Sequence, residues 1–160
     1  PALDGALLLG AVVSPRRERG RQRRLEQAEG LLDSAIQPGD AVLIRTGRDA
    51  RREAQGPLDV DVCGFAGLAP DCLGWLADRD VAFLGADAIS DPVTPGPGGT
   101  TSIAIHAGGI VGLGLWLLDN LFLEDLTSAC TDGRTSFFLL VSPLLIKGGT
   151  GSPVNPTAVL

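Results

Sequence analysis

The chain has 160 residues, 44% hydrophobic, 20% charged and only 4% aromatic, an aliphatic composition sized for one domain over residues 1–160 with a core of its own. Its net charge of −6 argues against a general nucleic-acid binder. Three cysteines, Cys63, Cys72 and Cys130, with no Cys-x-x-Cys argue against a disulfide framework or a zinc ribbon.

Reduced thiols, and an N-terminus (Pro1-Ala2-Leu3-Asp4) that is neither a start methionine nor a cationic leader, lead us to expect a cytoplasmic protein. Cys72 and Cys130 lie in apolar surroundings and are expected as small buried hydrophobes. The longest apolar run, Ile103 to Leu118, is short of the roughly 20 residues a membrane span needs, so no membrane partner is expected.

In chain order, Gly5 to Val13 is a continuous apolar run that reads as a buried strand, stopped by Ser14-Pro15. Arg16 to Arg24 holds six of the 13 basic residues and one of the 19 acids. That run is a local anion-binding arm or a solvated face. Arg21 to Ala35 has helical spacing, with Leu25, Ala28, Leu31, Leu32 and Ala35 on one face. After the turn Gln37-Pro38-Gly39-Asp40, Ala41 to Arg45 reads as a second buried strand.

Residues 48 to 66 lack periodicity and read as a long surface loop. Pro70 to Asp78 reads as a helix and Val81 to Gly85 as a third buried strand. Asp91 to Thr101 is Pro/Gly-rich loop. From His106 a buried helix is expected, then a short strand at Leu115 to Leu118, a helix at Leu123 to Ala129, a strand at Thr135 to Leu145 and a terminal strand piece. Strands alternating with helices make the fold class α/β.

Three places could carry chemistry. His106, the sole histidine, lies 13 residues before Asp119. A histidine and a carboxylate meeting in a pocket suit a metal ligand pair or an acid/base pair; alternatively His106 is a satisfied junction residue and Asp119-Asn120 a turn. Asp87 follows the third strand, where carboxylates in α/β proteins often face the cleft, or it turns the chain. Gly148-Gly-Thr-Gly-Ser-Pro lacks the Lys-Ser/Thr ending of a phosphate loop and reads as a tight backbone crossing near a core or pocket. No Gly-x-Ser-x-Gly elbow supports a serine nucleophile.

Taken together, Pro38-Gly-Asp-Ala-Val-Leu-Ile-Arg-Thr-Gly47, Gly67-Leu-Ala-Pro-Asp-Cys-Leu-Gly-Trp-Leu76, Val81-Ala-Phe-Leu-Gly-Ala-Asp87, Ile105-His106, Gly114-Leu-Trp-Leu-Leu-Asp-Asn120, Leu123-Glu-Asp-Leu126 and Pro143 to Pro156 resemble the metal-dependent cyclase/hydrolase family of kynurenine formamidases and isatin hydrolases. The resemblance implies a swivelling β/β/α cyclase-like domain, usually oligomeric. It implies hydrolysis of a small amide or cyclic compound by water activated on Zn²⁺ or Mn²⁺. By position it implies His106 as a metal ligand or pocket base and Asp119, where many members have glutamate, as a second ligand or acid/base group. The family's motif His-x-Gly-Thr-His-x-Asp-x-Pro-x-His, which supplies the main metal ligands, is absent; Gly5 to Val13 resembles the strand that follows it, with Gly10 in place of the usual Asp.

The expected protein is therefore the C-terminal two-thirds of this fold, with metal ligands completed from outside the chain. Asp119 and Asp87 are its candidate catalytic residues, and His106 and Asp119 its candidate metal ligands. Its expected partners are a small-molecule substrate and a second copy or a full-length family member. The alternatives are a non-catalytic paralogue that binds a small molecule or an oligomer partner, and an anion binder acting through Arg16 to Arg24.

Overall fold

Short aliphatic segments gain most when both of their faces are covered, and that requirement organises the chain around one six-stranded sheet. The computed structural model describes residues 6–9, 21–32, 34–96, 103–130 and 133–160. Its elements are β1 (Ala6–Leu9), α1 (Arg21–Glu29), β2 (Ala41–Ile44), α2 (Arg48–Gln55), α3 (Val60–Cys63), α4 (Cys72–Asp78), β3 (Phe83–Ala86), a π-helix (His106–Leu113), β4 (Trp116–Leu118), α5 (Glu124–Ala129), β5 (Ser136–Leu140) and β6 (Thr157–Val159). The sheet order is β4-β3-β2-β1-β5-β6. β1 to β4 pair in parallel, while β5 and β6 join antiparallel on the far side of β1. Residues 10–13 of the expected first strand, the Ser14-Pro15 stop, Arg16 to Gly20 and residues 97–102 of the Pro/Gly loop lie outside the described residues.

The alternation of side chains along a strand sorts the sheet into two cores. Val42, Ile44 and Leu84 face one side and pack with Leu25, Trp75, Leu76, Ile105 and Leu115. Ala41 and Leu43 face the other and pack with Leu118, Leu121, Leu123, Phe137 and Leu139. Gly85 lies on this second face, where a Cβ would come within 2.4 Å of Leu43 Cδ2 and 2.7 Å of Leu121 Cδ1. Only glycine lets those two leucines close over the middle of the sheet.

On the first face α1 lies against α4, and the contact is pinned by charge. Arg79, just past α4, donates from Nε and Nη2 to Glu29 at 2.8 and 2.6 Å, and from Nη1 to the Trp75 carbonyl at 3.1 Å. Its guanidinium also lies 4.3 Å from the centre of the buried Trp75 ring.

Several expectations are corrected. Residues 48 to 66 are not one loop: they hold α2 and α3. α2 (Arg-Asp-Ala-Arg-Arg-Glu-Ala-Gln) buries no residue, so it carries no apolar stripe, and residues of good helix propensity form it instead. The first helix ends at Glu29 rather than Ala35, in a turn through Gly30, and Leu31 is exposed. The helix after His106 is a π-helix in which Gly109 alone is buried, while Ile110, Val111 and Leu113 are exposed. The strand expected through Leu145 ends at Leu140. The glycine-rich segment from Gly148 does not cross beneath a core; apart from half-buried Ser152 it is exposed. Cys72 is buried as expected, but Cys130, at the end of α5, is only half-buried.

Leu84→Ala, at the fully buried centre of the sheet, should cost about 2–5 kcal/mol in urea unfolding. Leu145→Ala, on a fully exposed side chain, should change the same measurement by less than about 0.5 kcal/mol.

Candidate functional site

Parallel strands end on the same edge of a sheet, so β2, β3 and β4 deliver their following loops to one place. Those loops carry Thr46 to Arg48, Asp87 to Asp91 and Asp119-Asn120. His106 meets them as the first residue of the π-helix.

The structure brings His106 and Asp119 together. The imidazole Nε2 lies 3.0 Å from Asp119 Oδ2. The other ring nitrogen, Nδ1, lies 2.6 Å from Asp91 Oδ2. A carboxylate therefore stands at each side of the ring. Asp119 is itself held in place: its Oδ1 accepts from the Ser90 backbone N–H at 2.9 Å and the Ser90 hydroxyl at 2.6 Å. The ring is 36% exposed and Asp119 22%, so the pair is open to solvent on one side.

Asp91 is 1% exposed. It accepts the backbone N–H groups of Ile105 at 2.7 Å and His106 at 3.1 Å, which satisfies two helix-terminal donors. The backbone of Asp91 is fixed by close approach to Gly67, where a Cβ would lie 2.4 Å from Asp91 C and Pro92 N. Flanking bonds from Leu68 N–H to the Ser90 carbonyl (2.8 Å), and between Phe65 and Val93 (2.9 and 3.1 Å), complete the clamp.

Asp119 and Asn120 end β4 in an unusual backbone. Asn120 has φ of 58°, a left-handed conformation that asparagine tolerates better than most residues. That turn lets Asn120 N–H reach the Ala88 carbonyl and Leu121 N–H the Ala86 carbonyl. The Asn120 side-chain oxygen accepts from Arg48 Nη1.

Asp87 lies in a different cluster and is 1% exposed. Its Oδ1 accepts from Thr46 N–H and Thr46 Oγ1, both at 2.7 Å, and its Oδ2 from the N–H groups of Gly47 (2.9 Å) and Arg48 (3.2 Å). The four donors belong to the loop after β2 and the first residue of α2, so the Asp87 carboxylate ties that segment to the end of β3. Beside it, Arg45 forms a bidentate pair with Glu124, at 3.1 and 2.7 Å. The hydrogen bond from Arg45, then its charge, hold the Glu124 carboxyl below the usual carboxylate range against an opposing desolvation cost. Arg45 is raised by the same hydrogen bond, by the Glu124 charge and by the nearby Asp87 charge.

Two atoms here suit a cation. His106 Nε2 and Asp119 Oδ2 are close enough for one ion to touch both, with nitrogen and oxygen donors of the kind zinc accepts. Catalytic zinc sites usually take about three protein ligands, and among the described residues no three His, Cys, Asp or Glu side chains cluster as a complete set. The residues present therefore fit half of a site. Sequence reasoning missed Asp91 and Ser90. The available signal was their place after the third strand, which marks Asp91 as readily as Asp87.

Asp87→Ala should lower stability by about 3 kcal/mol in denaturant unfolding, since it leaves partly buried loop donors without an acceptor. The Arg45–Glu124 pair, with side chains 27% and 25% exposed, should contribute about 1 kcal/mol. Because Glu124 is lowered in the folded state, that contribution is complete above its ordinary value of 4.5 and is lost as pH falls through the lower folded value. Glu124→Gln should therefore be less stable than the parent near neutral pH, and the two urea midpoints should converge as pH falls below 4.5.

The Cyclase family model matches residues 7–91, just over half of the chain. No curated protein matches it. A crystal structure of a novel cyclase is 30% identical, with a TM-score of 0.81, covering 99% of this chain and 54% of that one. A predicted metal-dependent hydrolase from Bacillus stearothermophilus shares the fold at 19% identity and a TM-score of 0.64, covering 98% and 63%. An isatin hydrolase bound to the product analogue thioisatinate does so at 18% identity and 0.59, covering 98% and 59%. The chain thus spans 54–63% of the length of these structures. On the match over residues 7–91, and with its α/β sheet superposing on theirs, the chain belongs to the cyclase family.

Proposed function

We propose that the chain serves a metal-dependent hydrolase or cyclase reaction on a small amide or cyclic compound, arylformamidase-like in type. His106 and Asp119 would supply two ligands to a Zn²⁺ or Mn²⁺ ion whose remaining ligands come from outside these 160 residues, from another segment or from a partner of the same family. The observation that carries this reading is the 3.0 Å separation of His106 Nε2 and Asp119 Oδ2, each held from behind by a hydrogen-bonded neighbour. Two solved structures of this fold are described as metal-dependent hydrolases, which supports a divalent metal without naming it.

A bound divalent metal would polarise a carbonyl group and make water a stronger nucleophile near neutral pH. The chain's own residues prepare the place for it. Asp119 keeps one oxygen on Ser90 and turns the other toward the imidazole. Asp87, expected from the sequence as a catalytic group, serves in this proposal by holding the loop at Thr46 to Arg48, which borders the site. No described helix is long and apolar enough to cross a membrane, and the half-exposed ring is open to a small molecule.

The count of two ligands favours one competing reading, a non-catalytic paralogue that keeps the fold and binds a small molecule or an oligomer partner. The two readings separate on metal content. Purified protein equilibrated with zinc or manganese chloride should bind a single ion weakly. His106→Ala should weaken that binding by more than about 100-fold, beyond the 10–100-fold expected for an outer-shell partner. Metal content at background level, or unchanged by the substitution, would overturn the hydrolase reading for this chain.

A further inference from the structure

An imidazole can present only one lone pair, and which nitrogen keeps it is set by what faces the other. The surroundings of His106 are unequal in this respect. On one side, Asp91 is 1% exposed, lies 2.6 Å from Nδ1 and already accepts two backbone N–H bonds. On the other, Asp119 is 22% exposed, lies 3.0 Å from Nε2 and has one oxygen committed to Ser90. Both carboxylates are acceptors, and Asp91 is the nearer and the more buried of the two, so the single proton of a neutral ring belongs on the Nδ1 side.

We propose that Asp91 is a positioning residue: its buried carboxylate fixes His106 in the Nδ1–H tautomer and aims the Nε2 lone pair at the open side shared with Asp119. The same carboxylate fixes the ring's direction, because it also holds the backbone N–H groups of Ile105 and His106 at the start of the π-helix. Ring and helix are thus set by one group, and that group is anchored through the close contact of Gly67 with its backbone. In this tautomer two acceptors, Nε2 and Asp119 Oδ2, face each other across 3.0 Å, an arrangement that a shared cation relieves. The tautomer stands independently of the proposed function; only its consequence for metal affinity rests on that reading.

The experiment uses the fact that His106 is the only histidine. Protein labelled with ¹⁵N-histidine gives one pair of ring nitrogen signals, followed with rising pH until the ring carries a single proton. The parent should carry its proton on Nδ1 and none on Nε2. Asp91→Asn halves the acceptor and Asp91→Ala removes it, so in either variant, once shown to be folded, Nδ1–H should cease to dominate. A proton on Nε2 or on both nitrogens in the parent, or an unchanged tautomer in a folded variant, overturns the inference; should both variants fail to fold, the parent spectrum alone decides it.

Manganese chloride is then titrated against the same signals. Broadening of Nε2 in the parent, and a need for roughly 10–100-fold more manganese in the variant, supports both readings. The expected tautomer without broadening supports the role of Asp91 and refutes the metal pair. Broadening at the same manganese concentration in parent and variant refutes the effect of Asp91 on metal affinity and leaves the metal pair standing.

Discussion

A buried carboxylate has to be surrounded by donors, and that constraint shapes the carboxyl edge of the parallel sheet. Asp87 and Asp91 lie four residues apart after β3, and each is almost wholly withdrawn from solvent. Leaving such a group unpaired costs several kcal/mol. Each is instead saturated by main-chain N–H groups of a distant segment, Thr46 to Arg48 for one and Ile105-His106 for the other. The two carboxylates therefore act as ties, drawing the loop after β2 and the start of the π-helix onto the end of β3. Asp119 extends the pattern, with Ser90 between the two buried acids as its donor. The position of His106 follows from these ties.

This arrangement separates scaffold from chemistry. The two fully buried acids hold main-chain N–H groups, and Asp91 the His106 ring as well, while the acid left partly open to solvent spends one oxygen on the scaffold and keeps one for the site. Arg45 and Glu124 add a second layer, joining the end of β2 to α5 across the same edge. Groups that must meet a ligand are fewer than the groups that hold them, which is a common economy in preorganised sites.

The sheet was legible in the sequence because its strands are continuous aliphatic runs, and Val42, Leu43, Ile44 and Leu84 are buried as such runs require. The polar helix Arg48–Gln55 was not legible, because hydrophobic periodicity has nothing to register where no residue is buried. The apolar run after His106 misled in the opposite sense, since glycines at 108, 109 and 112 leave it little side-chain volume and much of the rest faces outward. At the site, His106 and Asp119 could be named from residue type and order. Asp91 could not be assigned to His106, because the loop between them gives no spacing from which contact follows. Its partnership is a product of tertiary geometry, set by Gly67 and the strand end.

β1 is the single seam of the sheet: it joins β2 on one side and β5 on the other, through pairs such as Ala6 with Phe137. Synthesis completes β2, β3 and β4 before it reaches Phe137, and each can add to the growing parallel half in turn. During that interval the edge of β1 that Ser136 and Phe137 later cover lacks that partner. An open strand edge is a template for mispairing, and a contact between residues so distant in sequence closes late. The nascent chain thus passes through a stage in which the parallel half stands without β5 beside β1, and closing that seam waits for residues 136–140.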